Sequence, residues 1–410
     1  MKPTLPAYDR SKLTPGIVHI GLGNFHRAHM AVYLDDLFAR GLCHDWAILG
    51  AGVREGDARM RDALKAQDCL STVIELDPKG KSARRIGSMI DFLPVEPDNA
   101  ALIAAMSRPE IRIVSLTVTE GGYFINPATG QFDPAPPEIV ADAANPHRTA
   151  FGAIIAALKA RRAAGFQPFT VMSCDNLPGN GHVTQDAVVG LARLSDPALA
   201  DWIKANVAFP NGMVDRITPA TGPRERAMAA SFGLAEDPVP VTCEPFRQWV
   251  LEDNFPSGRP AFEQVGVTLT PHVHAFEMMK IRILNGGHAT IAYPGGLLDI
   301  EFVHQAMADP LILDFLNKVE TEEIIPYVPP VPKTDIAAYY RQIVDRFSNR
   351  EIADTERRLC LDGSNRQPKF IVPSIRDALA AGGSVEGLAM VSALWCRYCA
   401  GTTESGATIA

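Results

Sequence analysis

The feature that most constrains the fold is an alternation, in the first part of the chain, of short apolar runs with amphipathic stretches. The runs lack the polar alternation of half-exposed strands, which favours strands buried on both faces of a parallel sheet. The stretches between them carry apolar residues at three-and-four spacing, as helices that connect parallel strands do. These patterns predict a doubly wound α/β sheet with strands at 17–23, 46–53, 69–76, 111–120 and 169–177.

The second part of the chain has a different pattern. After about residue 270 the apolar periodicity becomes helical and strand-like runs become rare. A chain of 410 residues is also too long for one ordinary core. We therefore predict a sheet domain over 1–270 and a mainly α-helical domain over 271–410. Because the last residues are polar and Gly-rich, we expect this second domain to be shortened at its C-terminus.

Charge, hydropathy and cysteine content exclude several partners. The formal net charge of −8 argues against nucleic acid, whose binding needs an excess of Lys and Arg. No apolar run reaches membrane-spanning length and no targeting pattern opens the chain, so we expect a cytoplasmic protein with no membrane partner. Seven scattered cysteines, an odd number, indicate reduced thiols. We expect Cys396 and Cys399 to serve helix packing, and no Cys and His set indicates a metal site.

A glycine-rich turn follows the first predicted strand. Gly21 and Gly23 lie between a strand and a helix, where a dinucleotide pyrophosphate meets backbone N–H groups and the helix dipole. His26 occupies the place of the third glycine of the G-x-G-x-x-G fingerprint, so the motif is incomplete. The alternative is a tight turn that needs glycine only for its backbone angles. We interpret the turn as part of a Rossmann-type site for NAD, with Asn24 and Phe25 as further contacts.

A carboxylate follows the second predicted strand. Asp57 can accept hydrogen bonds from the hydroxyl groups of the adenosine ribose. A negative charge there repels the 2′-phosphate of NADP, which favours NAD, although the flanking Arg54 and Arg59 can soften that preference. The alternative is that Asp57 is only an exposed residue at the start of a helix.

A candidate catalytic group lies between Glu277 and His288. On an α-helix, at about 100° per residue, the side chains of Lys280, Asn285 and His288 fall within about 140° of one another. Glu277 shares their side. A desolvated lysine amine favours its neutral form, which accepts a proton from an alcohol, and an asparagine amide stabilises the resulting alkoxide. His288 can bind a neighbouring hydroxyl, and Glu277 can pass protons to solvent. The alternative is a solvated lysine face with a helix-bound asparagine and a packed histidine.

Two further candidates follow predicted strands. Asn176 comes after the strand at 169–177, and Glu120 with the glycines after it ends the strand at 111–120. Doubly wound sheets bind ligands at the carboxyl ends of their strands. Asn176 can therefore complete a pair of alkoxide-stabilising amides, and Glu120 can line the cofactor or substrate cleft. The alternative for Asn176 is a turn residue before Leu-Pro-Gly.

Six motifs in order resemble the polyol-specific long-chain dehydrogenases, the mannitol dehydrogenase family. They are GLGNFHRAH, TVTEGGY, SCDNLPGNG, NGMVDRITP, EPFRQWVLEDNF and KIRILNGGH, and the resemblance extends from about residue 15 to the end. It implies that the helical domain is the substrate domain. It also implies a monomer, since no heptad seam in the sequence indicates otherwise.

The resemblance assigns roles to the candidate residues. It implies that Lys280 is the general base and that Asn176 and Asn285 form the alkoxide-stabilising pair. It further implies a substrate contact for His288, a proton relay for Glu277 and a ribose contact for Asp57. Three weaker assignments are substrate-pocket roles for Arg358, Asp215 and Arg366, the last at a position where some relatives have lysine.

The function that follows is reversible, metal-independent oxidation of a secondary alcohol of an open-chain hexitol, D-mannitol to D-fructose, with NAD. The alternatives are another polyol such as D-arabinitol or sorbitol, and the reduction of fructuronate, whose carboxylate calls for an additional cation. An alternative of another class is a module that binds NAD or sugar without turnover.

Overall fold

The computed structural model describes residues 2–126, 129–144 and 148–409 of the chain. The chain forms two compact units. The sheet unit comprises Met1–Glu75 and Lys81–Val273, and the helical unit comprises Leu76–Gly80 and His274–Ala410.

Strands occur almost entirely in the sheet unit. Within the described residues they are, in chain order, β1 (Pro15–Ile20), β2 (Ala47–Ala51), β3 (Ser71–Asp77), β4 (Gly80–Ile86), β5 (Met89–Phe92), β6 (Ile113–Leu116), β7 (Thr170–Ser173), β8 (Gly212–Asp215), β9 (Val241–Cys243), β10 (Gln248–Leu251) and β11 (Thr268–Leu269).

The main sheet has five strands in the order β5-β2-β1-β6-β7, and all of its neighbours are parallel. From β1 the chain adds strands first on one side and then, from β6, on the other. The predicted doubly wound sheet is therefore confirmed. The carboxyl ends of β1 and β6 are neighbours at the point where the winding reverses, which is where such sheets bind ligands.

One predicted strand joins a different sheet. The apolar run at 69–76 forms β3, which lies between β4 and β9 in a separate three-stranded sheet, while β5 occupies the edge of the main sheet. The prediction of a central strand in the main sheet was wrong here because apolar uniformity reports burial, not the sheet in which a strand is buried. A third sheet has the order β11-β10-β8.

Helices cover both faces of the main sheet. Val18 and Ile20 of β1 belong to one apolar cluster with Leu158, whereas Ile17 belongs to a second cluster with Phe38. Successive side chains of β1 thus enter different cores, which explains why the strand shows no polar alternation. The helices of the sheet unit are α1 (Asn24–Ala28), α2 (Met30–Ala39), α3 (Asp57–Lys65), α4 (Ala100–Ser107), α5 (Pro137–Ala144), α6 (Ala150–Ala163), α7 (Asn180–Ser195), α8 (Pro197–Asn206) and α9 (Pro223–Ser231).

The second part of the chain is mainly helical, as predicted. Its α-helices are α10 (Val273–Met279), α11 (Gly286–Leu297), α12 (Val303–Ala306), α13 (Pro310–Lys318), α14 (Ile336–Phe347), α15 (Glu356–Cys360), α16 (Gly363–Arg366), α17 (Val372–Ala380) and α18 (Glu386–Tyr398). Three π-helical segments occur at Lys280–Asn285, Val319–Ile324 and Gln367–Ile371. Short 3₁₀ turns lie at Arg10–Lys12, Glu120–Tyr123, Phe262–Val265 and Ile325–Tyr327.

The turn after β1 depends on one glycine. Gly21 has φ +101°, and a Cβ on it would lie 2.0 Å from the carbonyl oxygen of Thr117, just beyond β6. Its N–H donates to the carbonyl of Ala51, the last residue of β2, at 3.0 Å. Only glycine permits both the backbone angle and this close approach.

We therefore expect Gly21→Ala to lower the free energy of unfolding by about 3 kcal/mol, from about 1–2 kcal/mol of backbone strain and about 1–3 kcal/mol of steric overlap. Thermal unfolding of the purified variant measures this effect. Gly23→Ala is the matched control, because no atom lies within 4 Å of the Cβ position of Gly23. Equal unfolding midpoints for Gly21→Ala and the parent chain would contradict the argument.

Candidate active site

The glycine turn borders open space at the winding reversal between β1 and β6. Gly21 is pressed against Thr117, whereas the Cβ position of Gly23 is unobstructed. A phosphate group can approach a backbone closely only where no side chain intervenes. The turn therefore suits the pyrophosphate of a dinucleotide.

The next two side chains of the motif have partners within the sheet unit. The Asn24 amide donates to the Pro219 carbonyl at 3.0 Å and to Thr221 Oγ1 at 2.9 Å. The Phe25 ring stacks on the His29 ring with centroids 4.8 Å apart. These contacts fix α1, and a direct cofactor contact of Asn24 or Phe25 stays a prediction.

A buried histidine pair supports the turn. His26, in the place of the third glycine, stacks on His19 with ring centroids 3.4 Å apart. His19 Nδ1 lies 2.8 Å from Ser115 Oγ, and its Nε2 lies 2.9 Å from Thr117 Oγ1 and 3.1 Å from the Gly21 carbonyl. Burial lowers the pKa of His19 to about 3 and that of His26 well below its usual value. Both rings are therefore neutral, and His19 ties β1 to β6 below the turn.

Asp57 closes the loop after β2. Its Oδ2 accepts hydrogen bonds from the N–H groups of Val53 and Arg54, each at 3.0 Å, and α3 begins at Asp57 itself. The side chain thus has the structural role of a helix-start residue. Its predicted contact with a ribose stays a prediction.

Asn176 and Glu120 lie in the loops that follow β7 and β6, which are neighbouring parallel strands. Both side chains are exposed. The structure joins their two loops through Asp175, whose carboxylate accepts from the N–H groups of Val118 at 2.9 Å and Thr119 at 3.0 Å. Asp175 was not predicted from the sequence, although it directly precedes Asn176 in the SCDN motif.

Asp215 lies in another sheet. It is the last residue of β8 and is buried, and it pairs with Gln248 of β10 in the antiparallel register. It is therefore not at the carboxyl edge of the main sheet, and its part in a substrate pocket stays a prediction.

The predicted catalytic helix of the helical unit is not a uniform α-helix. The segment Lys280–Asn285 is π-helical and joins α10 to α11, and the Gly286 N–H donates to the carbonyl of Ile281, five residues earlier. The angles calculated for an α-helix are wrong across this segment, because each π turn contains an additional residue. Lys280 is only 6% exposed, and Asn285 Oδ1 is buried without a hydrogen-bond partner in the described part of the chain. Single π turns occur frequently at functional sites.

Glu277 is a buried carboxylate that lies beside an exposed histidine. Its side chain is 6% exposed, and its Oε2 lies 3.4 Å from Nδ1 of His274, whose side chain is 79% exposed. The proton relay at Glu277 stays a prediction, and His274, which lies one turn earlier on α10, was not predicted from the sequence.

His288 lies among cationic side chains. Its ring stacks on Phe347 with centroids 4.1 Å apart. Burial, followed by the charges of Arg358, Arg346, Arg366 and Lys280, lowers the pKa of His288 well below its usual value. The imidazole is therefore neutral and can both donate and accept a hydrogen bond.

The two predicted arginines belong to this same cluster. Arg358 pairs with Asp354, with Nε 2.5 Å from Oδ1. Arg366 Nη1 donates to the carbonyl of Leu359 at 2.6 Å. Arg346 is buried on α14, within an amphipathic stretch, so its charge near His288 could not be predicted from the sequence.

Other sequence predictions have different outcomes. Cys396 and Cys399 are exposed at the end of α18, so the predicted packing role was wrong. In the part of the chain that the structure describes, no three His, Cys, Asp or Glu side chains could hold a metal ion together. No helix there is long and apolar enough to cross a bilayer.

Two family models match the chain. The model described as the mannitol dehydrogenase Rossmann domain matches residues 15–264, and the model of the mannitol dehydrogenase C-terminal domain matches 272–410. Mannitol 2-dehydrogenase of Cereibacter sphaeroides is 74% identical over 99% of this chain and 85% of the relative. Mannitol 2-dehydrogenase of Phaeosphaeria nodorum is 45% identical over 98% of this chain and 72% of the relative.

Two solved structures match the whole chain. The Pseudomonas fluorescens mannitol 2-dehydrogenase ternary complex with NAD and D-mannitol has a TM-score of 0.92 at 48% identity, covering 100% of this chain and 84% of the other. A D-sorbitol dehydrogenase in substrate-free form has a TM-score of 0.93 at 38% identity, covering 100% of this chain and 85% of the other.

The neutral buried histidines predict an acid-sensitive fold. His19 and His29 have pKa values lowered by burial to about 3, and the pKa values of His26 and His288 are lowered well below 6.5. Below about pH 6.5 the unfolded chain binds protons that the folded chain does not, so each such histidine removes up to about 1.4 kcal/mol of stability per pH unit. The carboxyl groups of the buried Glu320 and Glu356, whose pKa values burial raises, act in the opposite direction between pH 7 and pH 5, so the unfolding midpoint of the parent chain combines both effects.

Two variants test this assignment. Between pH 7 and pH 5, at constant ionic strength, the unfolding midpoint of His19→Asn is expected to fall less, or rise more, than that of the parent chain, whereas the same change at the exposed His272 is expected to leave the pH dependence unaltered. A pH dependence of His19→Asn equal to that of the parent chain would refute the assignment of a neutral buried histidine.

Proposed function

The chain belongs to the mannitol dehydrogenase family, and from this premise we propose that it is an NAD-dependent dehydrogenase that oxidises D-mannitol reversibly to D-fructose without a metal ion. The relatives at 74% and 45% identity are mannitol 2-dehydrogenases. The similar solved structure with bound NAD and D-mannitol supports both the cofactor and the substrate.

The observation that carries the proposal is the π-helical segment, which begins at Lys280 and ends at Asn285. The lysine is buried, as a base that must act in its neutral form requires. Oδ1 of Asn285 is buried and has no hydrogen-bond partner among the described residues, so a substrate hydroxyl can donate a hydrogen bond to it. A module that only binds has no need of a base placed in this way.

In the proposed reaction one secondary alcohol of the substrate becomes a ketone. Lys280 accepts the hydroxyl proton as the general base. The amides of Asn176 and Asn285 donate hydrogen bonds to the oxygen as it gains alkoxide character. When bound, NAD supplies the nicotinamide ring that takes up the hydride from the carbon. The proton then passes from Lys280 toward solvent by way of Glu277.

The sheet unit fits NAD on its own geometry. The unobstructed backbone at Gly23 and the fixed turn at Gly21 would hold the pyrophosphate. We assign Asp57 to the adenosine ribose and Glu120 to the lining of the cleft, with Asn24 and Phe25 near the pyrophosphate. A carboxylate at Asp57 is the reason for proposing NAD rather than NADP.

Substrate hydroxyls are assigned to the helical unit. His288 is neutral and can bind one hydroxyl, and Arg358 and Arg366 supply further donors, while Asp215 of the sheet unit helps to shape the pocket. The buried Arg346 is an additional cation facing His288. This charge favours a second candidate, the reduction of a ketose that carries a carboxylate, such as D-fructuronate.

The monomeric state and the cytoplasmic location stay predictions. The polyol or ketose substrate and the absence of nucleic acid and membrane partners are part of the same proposal.

The removal of the base tests the proposal. We expect Lys280→Ala to lower kcat for D-mannitol oxidation by about 10²–10⁴-fold, the usual contribution of general base catalysis, while the Kd for NAD stays within about threefold. Formation of reduced nicotinamide with D-mannitol, D-sorbitol and D-arabinitol measures the oxidation, and its consumption with D-fructose and D-fructuronate measures the reduction.

Lys318→Ala is the matched control, because Lys318 is an exposed lysine of the same unit. Its kcat is expected to equal that of the parent enzyme. If NAD binds and no polyol or ketose is turned over, the chain is a binding module and the proposed activity fails. Turnover of D-fructuronate in preference to D-fructose would establish the second candidate.

The proton relay has its own test. We expect Glu277→Gln to lower kcat at least about tenfold and to raise the solvent isotope effect, because an amide cannot carry the proton onward. His274→Asn is expected to slow turnover in dilute buffer and to recover with added imidazole, since His274 is exposed. His272→Asn serves as the control that needs no imidazole. An unchanged kcat and isotope effect in Glu277→Gln would remove Glu277 from the relay.

A further inference from the structure

Asp175 lies at the centre of a hydrogen-bond network that joins two strand ends. Its Oδ2 accepts from the Val118 N–H at 2.9 Å and from the Tyr123 hydroxyl at 2.6 Å, and its Oδ1 accepts from the Thr119 N–H at 3.0 Å. Ser173 Oγ lies 2.6 Å from the same tyrosine oxygen. The carboxylate is buried, so these contacts are protected from competition with water.

The backbone that Asp175 holds is strained. Thr119 has φ +66° and ψ 163°, a combination that is essentially restricted to glycine. A β-branched residue there costs about 1–3 kcal/mol, and such a conformation persists only where the surrounding structure imposes it. Both peptide N–H groups at this bend, those of Val118 and Thr119, end on the Asp175 carboxylate.

The side-chain amide of Asn180 fixes the backbone of Asp175. Asn180 Nδ2 donates to the Asp175 carbonyl at 3.1 Å and to the Gly212 carbonyl at 2.8 Å, and its Oδ1 accepts from the Gly212 N–H at 2.9 Å. Asn180 is completely buried. Asn176 directly follows Asp175 in the chain. The residue before it is therefore fixed both at its backbone carbonyl and at its side-chain carboxylate.

We propose that Asp175 is a positioning residue for the reaction: its carboxylate imposes the strained conformation of Thr119 and thereby fixes Glu120 and Asn176 at the adjoining ends of β6 and β7. The inference rests on the proposed function, since it takes Asn176 to be the group that stabilises the alkoxide. Asp175 acts through its neighbours and is not itself a catalytic residue.

The test compares Asp175→Asn with the parent enzyme. The variant keeps the size of the side chain but turns an NH₂ group toward one of the peptide N–H donors. We expect kcat for D-mannitol to fall by about 30-fold or more while KM for NAD changes by less than about threefold, the pattern of a lost transition-state interaction. Asp196→Asn is the matched control: it weakens a carboxylate contact to the Leu199 N–H at the start of α8, and its kcat is expected to stay unchanged.

A second substitution separates positioning from general stability. Glycine adopts the conformation of Thr119 without strain, so Thr119→Gly introduced into Asp175→Asn is expected to restore kcat by about tenfold. Failure of this rescue, or a kcat of Asp175→Asn within threefold of the parent, would overturn the proposal. If Asp175→Asn does not fold, a folded and active double variant supports the proposal and an unfolded one overturns it. Absence of polyol turnover in the parent enzyme would instead be a failure of the proposed function.

Discussion

The contact between Gly21 and the Thr117 carbonyl is the constraint on which the sheet unit depends. Two parallel strands can bring their carboxyl ends this close only when no Cβ lies between them. Below the contact, His19 bonds to both strands, and beyond it the carboxylate of Asp175 binds the loop after β6. Hydrogen bonds to buried polar groups therefore add to apolar packing in holding the ends of β1, β6 and β7 together.

The helical unit contains buried acidic side chains. Glu320 and Glu356 are fully buried, and neither carboxyl has a hydrogen-bond partner among the residues that the structure describes. Burial raises the pKa of Glu356 to about 9 and that of Glu320 well above its usual value, so both are neutral at pH 7. The cations near His288 therefore meet little opposing charge from these two groups.

The π-helical segments coincide with these polar groups. One begins at Lys280, the second contains Glu320 and the third follows Arg366. Because a π turn contains an additional residue, it shifts the face on which the following side chains lie. The additional residue therefore allows polar side chains of the helical unit to lie on a side of the helix on which a regular α-helix would not place them.

Much of the fold could be predicted because buried strands and helices have characteristic local patterns of apolar residues. The apolar runs of β1, β2, β6 and β7 and the helical periodicity after residue 270 were sufficient for both fold types. The sheet that β3 joins was not predictable, because pairing depends on partners distant in the chain, such as β9. The π-helical segment at Lys280–Asn285 was not predicted either. A π-helix differs from an α-helix in the carbonyl to which each backbone N–H donates, and the residue types do not reveal that difference.

The candidate site could likewise be predicted only in part. Lys280, Asn285 and Glu277 could be proposed from the sequence because polar and ionisable residues at short spacing are conspicuous on an apolar helix. Asp175 and Arg346 were missed because their importance comes from partners on other elements. A carboxylate that accepts from two peptide N–H groups looks, in sequence, like any turn aspartate.

The uneven burial of the seven cysteines has a practical consequence for spectroscopy. Burial raises the pKa of Cys69 to about 11 and those of Cys243 and Cys360 to about 12, and Cys174 is fully buried as well. Thiolate-selective reagents therefore meet their most accessible targets at Cys396 and Cys399, with Cys43 half-buried. A fluorophore or spin label attached there would report on the end of α18 without any engineered cysteine.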